Sequence, residues 1–238
     1  RTGATGWREA LHLDFFKAYD RFLDESGFRS AFPTVDDLTL ALGKNLHYYH
    51  GRNLENTRIS NVVDAYNLNA WASDAMTHTD LVDQYRNPTG DPSILAHYAQ
   101  PLYVAVKVRT TVLPAGASSV ADFFLVNELD LQGEGVLGIE LIDPDDRKIF
   151  SKTSPVRLLG GEEFGQLLVE GVELPAMGKP GYYTVNAAIK MQGAVKAGGF
   201  DKIFVVDYRT ASGLKGKGAV IDTSGVINAF LKESRGIT

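Results

Sequence analysis

The sequence predicts an α+β chain of several domains, with helices in its first hundred residues and antiparallel strands after them. Apolar residues recur every three or four positions up to about residue 56 and every second position from Leu102 onward. Between these regions, the stretch 80–109 carries three prolines and Gly90. Proline fixes φ and lacks an N–H, whereas glycine reaches positive φ, so this stretch interrupts regular structure.

Composition excludes several classes of function. Of 238 residues, 44% are apolar and 22% are charged, which is the usual balance for a globular protein that buries a core. The net charge of −5 implies no broad basic face, so neither nucleic acid nor an anionic membrane is an expected partner. The absence of cysteine excludes disulfides, thiolate metal sites and a Cys nucleophile. No cofactor is expected. The compartment stays undetermined, with a periplasmic or secreted location favoured over a cytoplasmic one.

Two amphipathic helices are predicted first. Residues 7–26 place six large apolar residues at spacings of three and four, and Gly27 suits the end of a helix. Thr34 and Asp37 then resemble a capping box that opens a second helix running to about Asn56. The apolar residues of the first stripe are Trp7, Leu11, Phe15, Tyr19, Phe22 and Leu23.

Residues 62–72 change character and predict a strand, because Val62, Tyr66 and Trp71 favour extended backbone. The order helix, helix, strand and polar loop is typical of the end of a (β/α)₈ barrel, whose active sites lie at the C-terminal face. The residues expected at that mouth are Asn69, Trp71, Ser73 and Asp74. Residues 92–99 then predict a short closing helix.

Alternating apolar residues after Leu102 predict the second fold. About seven short strands within about 100 residues, separated by turn clusters, are typical of an immunoglobulin-like β-sandwich. The run 180–185 suits a late strand with a tyrosine near its start, like a tyrosine corner. The strand-like runs are 103–112, 118–128, 135–143, 147–150, 154–159, 165–174, 181–190 and 201–207.

The last part predicts a linker and the beginning of another domain. Residues 210–217 are flexible by composition, and 218–236 resemble a buried strand, a turn and a helix. The expected domains are thus the C-terminal part of a barrel at 1–99, an immunoglobulin-like sandwich at 100–209, and a linker with the start of an α/β domain at 210–238.

Two stretches carry a resemblance to glycoside hydrolase family 2, the bacterial β-galactosidase-like enzymes. DAYNLNAWAS (64–73) resembles the eighth barrel strand, D-G-Y-x-x-N-G-W, and LVDQYRNPTGDP (81–92) resembles the barrel exit, V-D-x-x-R-N-P-K-G-D-P. The sequence departs from these patterns at Ala70 and Thr89, where the family tends to glycine and lysine. The resemblance implies a retaining β-glycosidase that acts on β-galactoside-like carbohydrates.

The same resemblance implies that the two catalytic glutamates lie upstream of Arg1. The chain alone would be inactive and would pack against the remainder of its own polypeptide; a homo-oligomer is left open. Trp71 would form the floor of a sugar subsite, and Asn69 and Asp74 would hydrogen-bond sugar hydroxyls. The alternatives are an ordinary core tryptophan and loop-capping polar side chains. Glu55, which follows a helical stripe, could face the mouth or solvent.

Three other groups of residues have simpler interpretations than a functional one. Glu25 precedes Trp71 by about the chain distance expected for the catalytic nucleophile, but it lies at a helix end, where a solvated side chain is the simpler interpretation. His47 and His50 have a metal-ligand spacing, yet no accompanying Glu or Cys motif supports a metal site. A second hypothesis is a non-catalytic carbohydrate-binding or structural module, in which sandwich aromatics line a glycan-binding face. Those aromatics are Tyr182, Tyr183, Phe123 and Phe124.

Overall fold

The structure is a computed structural model that describes residues 7–63, 65–67, 81–82, 86–208 and 222–229, with side chains from Leu13 onward. The chain divides into two compact units. One comprises Arg1–Pro101 with Glu163–Gly165, and the other Leu102–Glu162 with Gln166–Thr238. No helix within the described ranges is long and apolar enough to cross a membrane.

The two predicted helices are confirmed. Helix α1 spans Trp7–Ser26 and is followed by Gly27 in the left-handed region at φ 76°. A 3₁₀ turn at Phe28–Ser30 leads to helix α2, Val35–Ser60. The capping box at its start is complete, because the Thr34 hydroxyl accepts the Asp37 N–H at 3.1 Å and the Asp37 carboxylate accepts the Thr34 N–H at 3.0 Å.

The helical unit has a small core of its own. Leu23 of α1 packs with Val35 and Leu38 of α2, and Tyr19 and Phe32 complete the cluster. A core of this size buries little apolar surface, so part of the described apolar stripe of α1 remains accessible. Two members of the predicted stripe, Phe15 and Phe22, are 37% and 46% exposed.

The predicted strand at 62–72 is wrong for the residues that can be described. Residues 62–63 and 65–67 form no strand, and Val62 and Tyr66 are 82% and 53% exposed. Helix α2 ends at Asn61, which adopts a left-handed φ of 55°. β-Branched and aromatic residues favour a strand only where a neighbouring strand accepts their hydrogen bonds and packs their side chains, and no described residue pairs with this segment.

The predicted closing helix is confirmed as α3, Pro92–Tyr98. Asp91 caps it, since its carboxylate accepts the Ser93 N–H at 3.0 Å, and Pro92 occupies a first-turn position where no N–H is needed. The hydrogen bonds from the Ser93 hydroxyl and N–H lower the pKa of Asp91, so the capping carboxylate stays ionised.

The second unit contains eight strands that follow the predicted alternation. Three differences stand out. The single run predicted at 103–112 is divided into two strands, Leu102–Val108 and Val112–Pro114. The runs predicted at 147–150 and 154–159 are one continuous strand, and the last strand begins seven residues before the predicted Asp201, at Ala194. The strands are β1 Leu102–Val108, β2 Val112–Pro114, β3 Ser119–Asn127, β4 Gly133–Ile142, β5 Lys148–Leu158, β6 Gly165–Leu174, β7 Gly181–Met191 and β8 Ala194–Val206.

These strands form two sheets around one core. The order is β1-β3-β6 in the smaller sheet and β2-β8-β7-β4-β5 in the larger. The pairings β1–β3, β4–β5, β4–β7 and β7–β8 are antiparallel, whereas β2 runs parallel to β8. Every strand contributes buried residues to the same hydrophobic cluster, so the core lies between the sheets. Its largest fully buried members include Phe123, Leu125, Leu137, Ile139, Leu141, Ile189 and Ile203.

A glycine permits the sheets to meet at one edge. A Cβ on Gly199 of β8 would overlap with the carbonyl group of Val104 on β1. Asp201, two residues further on and 2% exposed, accepts the backbone N–H of Val108 at 3.3 Å. β8 therefore contacts β1 across the two sheets while pairing with β7 within its own.

Tyr183 fixes the start of β7. Its ring is 2% exposed, and its hydroxyl accepts the backbone N–H of Lys179 at 3.1 Å. A buried tyrosine that bonds back to the chain a few residues upstream is the geometry expected of a tyrosine corner. The neighbouring Tyr182 is 64% exposed, as strand alternation requires.

Candidate functional site

The three residues predicted to bind sugar lie outside the described residues. Asn69, Trp71 and Asp74 all fall within the undescribed range 68–80. Their roles stay predictions. The structure does describe the two elements that border this range, helix α2 and the segment 86–101, which contains most of the family-like exit motif.

Glu55 lies inside the helical unit. It is 1% exposed, and its Oε1 is 3.0 Å from Nη1 of Arg52, one turn earlier on α2. The carboxylate is thus one half of a buried ion pair, and this pair contributes to the packing of α2. Its catalytic role stays a prediction. Glu25, the other acidic candidate, is exposed near the end of α1.

Glycines on α2 allow the exit segment to lie directly against the helix. A Cβ on Gly43 would overlap with the backbone carbonyl of Thr89, and one on Gly90 would lie 2.5 Å from the Gly43 carbonyl carbon. Two turns further on, a Cβ on Gly51 would overlap with the ring of Tyr98. No larger residue fits at these positions, so the segment is seated on one face of α2.

Between these glycines, His47 ties the segment to the helix. The ring is 1% exposed, its Nδ1 is 3.0 Å from the Asp91 carbonyl oxygen, and its Nε2 is 3.4 Å from the Thr89 hydroxyl. A carbonyl only accepts, so Nδ1 carries the proton in the neutral ring. Protein groups therefore engage both nitrogens. Within the described part of the chain, no group of three or more His, Asp or Glu residues is arranged to hold a metal ion.

Arg58 holds the C-terminal end of α3. The side chain is 6% exposed, and its two terminal nitrogens donate to the carbonyl oxygens of Tyr98 at 2.7 Å and Gln100 at 2.6 Å. Carbonyls at the end of a helix lack partners within the helix and carry partial negative charge, so a buried guanidinium both satisfies and neutralises them.

Aromatic rings surround the Arg52–Glu55 pair. The Arg52 guanidinium lies 6.0 Å from the centre of the Tyr48 ring, and Tyr98 meets Tyr48 edge to face at 6.3 Å. Burial, followed by the positive charge of Arg52, lowers the pKa of His97, which packs against Tyr98. His97 is therefore neutral at physiological pH. These contacts join α2 to α3, and their role in the structure is to hold the two helices together.

The four sandwich aromatics proposed as a glycan face separate into two sets. Tyr183 and Phe123 are core residues, 2% and 0% exposed, and Phe124 is half-buried, which corrects their assignment to one exposed face. Tyr182 alone is largely exposed, and its ring lies 4.8 Å from that of Phe204. Sequence reasoning missed Phe204, although the alternation of 201–207 already places it on the outer side.

No protein-family model matches the sequence, and no curated protein matches it significantly. Solved structures do resemble it. A glycosyl hydrolase family 2 member from Bacteroides cellulosilyticus is 16% identical over 44% of this chain and 14% of its own, with a TM-score of 0.34. A β-glucosidase from Listeria innocua is 18% identical over 45% of this chain and 16% of its own, with a TM-score of 0.31.

The CARDB domain of a Pyrococcus furiosus protein is equally similar, at 12% identity over 44% of this chain and 87% of its own, with a TM-score of 0.32. The matched part spans less than one sixth of the length of the two glycosidases. Glycosidases are thus among the structural neighbours, and the likeness at this level carries no information on activity.

Proposed function

We propose that this chain is part of a retaining β-glycosidase of the family 2 type. In this proposal the chain alone is inactive. Hydrolysis with retention of the anomeric configuration requires one carboxyl group to donate a proton and another to attack the anomeric carbon. In the proposal, both carboxylates come from an upstream part of the catalytic barrel. Trp71 forms the floor of the sugar subsite, where the C–H face of a sugar packs on its ring, and Asn69 and Asp74 bind hydroxyl groups.

One observation carries the proposal: the family-like exit segment is fixed to α2. The contacts of Gly43, His47 and Arg58 hold the segment that follows the proposed subsite loop. A loop that positions sugar-binding side chains needs rigid supports at both ends, because a small displacement of a positioning group costs much of the rate. Helix α2 and the exit segment would be those supports.

The proposal also assigns an immunoglobulin-like domain to the two-sheet unit. Its support is the sheet order β1-β3-β6 and β2-β8-β7-β4-β5, together with the hydrogen bond from Lys179 to the Tyr183 hydroxyl. In this role the domain braces the barrel and does no chemistry.

The test is hydrolysis by the longest natural form of the protein. That form should hydrolyse an aryl β-galactoside or another aryl β-glycoside with retention, as followed by NMR of the first-formed anomer, and the 238-residue chain alone should show no turnover. In the long form, Trp71→Ala should lower kcat/KM at least about tenfold. Tyr49→Ala, at a 60% exposed aromatic on α2, is the matched control and should leave it unchanged.

Inversion at the anomeric carbon, or a long form with no hydrolysis of any aryl glycoside, would contradict the proposal. The second candidate, a carbohydrate-binding module, is favoured by the exposed Tyr182–Phe204 pair. It predicts saturable glycan binding that survives Trp71→Ala, together with no hydrolysis of any aryl glycoside by the long form.

Glu55→Gln separates a supporting role from a catalytic one. Because Glu55 pairs with Arg52 inside the unit, the neutral amide should lower the stability of the long form and leave its turnover nearly intact. A drop of several orders of magnitude in kcat, with the fold retained, would instead make Glu55 a catalytic residue.

A further inference from the structure

Four side chains form a square on the outer face of the larger sheet. In the antiparallel pair β7–β8, Tyr182 lies opposite Phe204 and Thr184 lies opposite Lys202. Tyr183, which lies between Tyr182 and Thr184 on β7, is in the core. Because side chains alternate along a strand, all four side chains of the square project from the opposite face of the sheet. Consecutive rows on one face are about 7 Å apart.

The aromatic side of the square is accessible. Tyr182 is 64% exposed and Phe204 is 37% exposed, with their ring centres 4.8 Å apart. Val112, which is paired with Phe204 and is 60% exposed, continues the row onto β2. Two adjacent rings present an apolar surface wide enough for one flat ligand ring.

The polar side of the square carries a positive charge that no described residue on this face neutralises. The outward carboxylates of β4 are already engaged, Glu140 with Lys148 at 2.9 Å and Glu134 with Arg157 at 3.8 Å. Lys202 is exposed, and among residues 86–208 it forms no ion pair. In a chain of net charge −5, an unpaired ammonium beside exposed rings is a local positive site.

We propose that this square binds a pyranose unit that carries a carboxylate, as in an acidic polysaccharide. The apolar face of the sugar ring stacks on Tyr182 and Phe204, and its carboxylate pairs with Lys202 about 7 Å away. The Thr184 hydroxyl, in the same row as Lys202, is available to a ring hydroxyl.

Charge selects this ligand over the alternatives. A neutral sugar would use the rings and leave the ammonium without a counter-charge. A nucleic acid would find a single cation here, whereas its affinity comes from neutralising many phosphates. The inference uses β7 and β8 alone and none of the proposed catalytic residues, so it can fail while the glycosidase proposal holds, and the reverse.

The experiment is calorimetric titration of the whole chain with an oligogalacturonate tetramer. We expect saturable binding with a Kd on the order of 0.1–1 mM, typical of a single exposed subsite, which weakens as salt is raised because the carboxylate–ammonium pair is solvent-exposed. The methyl-esterified form of the same oligosaccharide, which keeps the rings and lacks the charge, should bind at least about fivefold more weakly.

Two variants and a control locate the site. Lys202→Met should remove the preference for the free acid over its methyl ester, and Tyr182→Ser should weaken both ligands about tenfold. Lys190→Met is the matched control, because Lys190 is exposed on the same face of β7 and lies about 26 Å from Tyr182. It should change neither affinity.

Several results would overturn the inference. They are no saturable binding by the whole chain, equal binding of the acid and the ester, or a Lys202→Met variant that keeps the preference. Self-association of the chain through this face, lost in Tyr182→Ser, would assign the surface to a second copy instead. All three substitutions are at accessible positions, and unchanged thermal unfolding checks that each variant is folded.

Discussion

At the scale of single residues, Arg58 joins two parts of the helical unit. Its guanidinium donates to the carbonyl oxygen of Tyr98, the last residue of α3, and to that of Gln100, two residues beyond the helix. Arg58→Met keeps the apolar stem and removes both bonds, so two carbonyls lose their partner in a largely buried site. We expect the free energy of unfolding to fall by about 3 kcal/mol, measured by urea unfolding of the whole chain. Amide exchange of α3 should accelerate with it.

Arg29 provides the control for this prediction. Its side chain pairs with two carboxylates rather than carbonyl oxygens, Asp20 at 3.0 Å and Asp24 at 2.8 Å, and these are 51% and 65% exposed. Water screens such pairs, so Arg29→Met should lower the free energy of unfolding much less than Arg58→Met does. Equal losses in the two variants would show that burial of Arg58 contributes nothing.

At the scale of an element, the β4–β5 turn is held by one carboxylate. Asp143 accepts the backbone N–H groups of Asp145 at 2.8 Å and Arg147 at 2.9 Å, and it pairs with the Arg147 side chain. These hydrogen bonds, the Arg147 N–H first, lower the pKa of Asp143 below its ordinary 3.8. Its contribution to stability is therefore complete above the ordinary pKa and is lost as pH falls through the lower folded-state pKa.

We expect the wild type to lose stability between about pH 5 and pH 2, and Asp143→Asn to lose less over the same window because it has already lost the ionised form. Asp146→Asn is the control, since asparagine tolerates the left-handed φ of 60° found there. Unfolding by urea at a series of pH values measures both. A pH dependence that Asp143→Asn leaves unaltered would rule out this carboxylate as its source.

The elements also show where sequence reasoning succeeds. Periodicity predicted most strands because each buries one face, and a buried face leaves its period in the sequence. It also predicted α1 and α2, although Phe22 of α1 and Leu42 of α2 are about half exposed in the structure. It failed in β5, whose central residues 151–153 are exposed, so no alternation joins its two halves. It also failed at the start of β8, where Gly198 and Gly199 resemble a turn although Gly199 is required for the close approach to β1.

The candidate site was less predictable for a related reason. The fit of Gly43 and Gly51 against the exit segment depends on which part of the chain lies on α2, and no local pattern contains that information. Likewise, Glu55 and Arg58 are charged residues that a helical pattern assigns to solvent, and tertiary pairing buries them. The strand predicted at 62–72 failed because propensity cannot supply the neighbouring strand it needs.

At the scale of the whole molecule, the two units differ in how they can be stable. Among its described residues, the helical unit has a cluster of three buried apolar side chains, whereas the two-sheet unit has a core drawn from all eight strands. A unit that buries a contiguous core can fold alone, and one that does not depends on further contacts. The proposal of a bracing domain therefore requires the two-sheet unit to be autonomous.

Residues 100–209 alone should accordingly unfold in one cooperative transition in urea, with fluorescence and circular dichroism giving the same midpoint. Phe123→Ala, which truncates a fully buried ring, should lower its free energy of unfolding by about 3–5 kcal/mol. Leu167→Ala, at a 48% exposed position of β6, should cost about 0.5 kcal/mol or less. A broad transition, or similar losses for both variants, would mean that this unit is stable only within the longer chain, and its bracing role would fail.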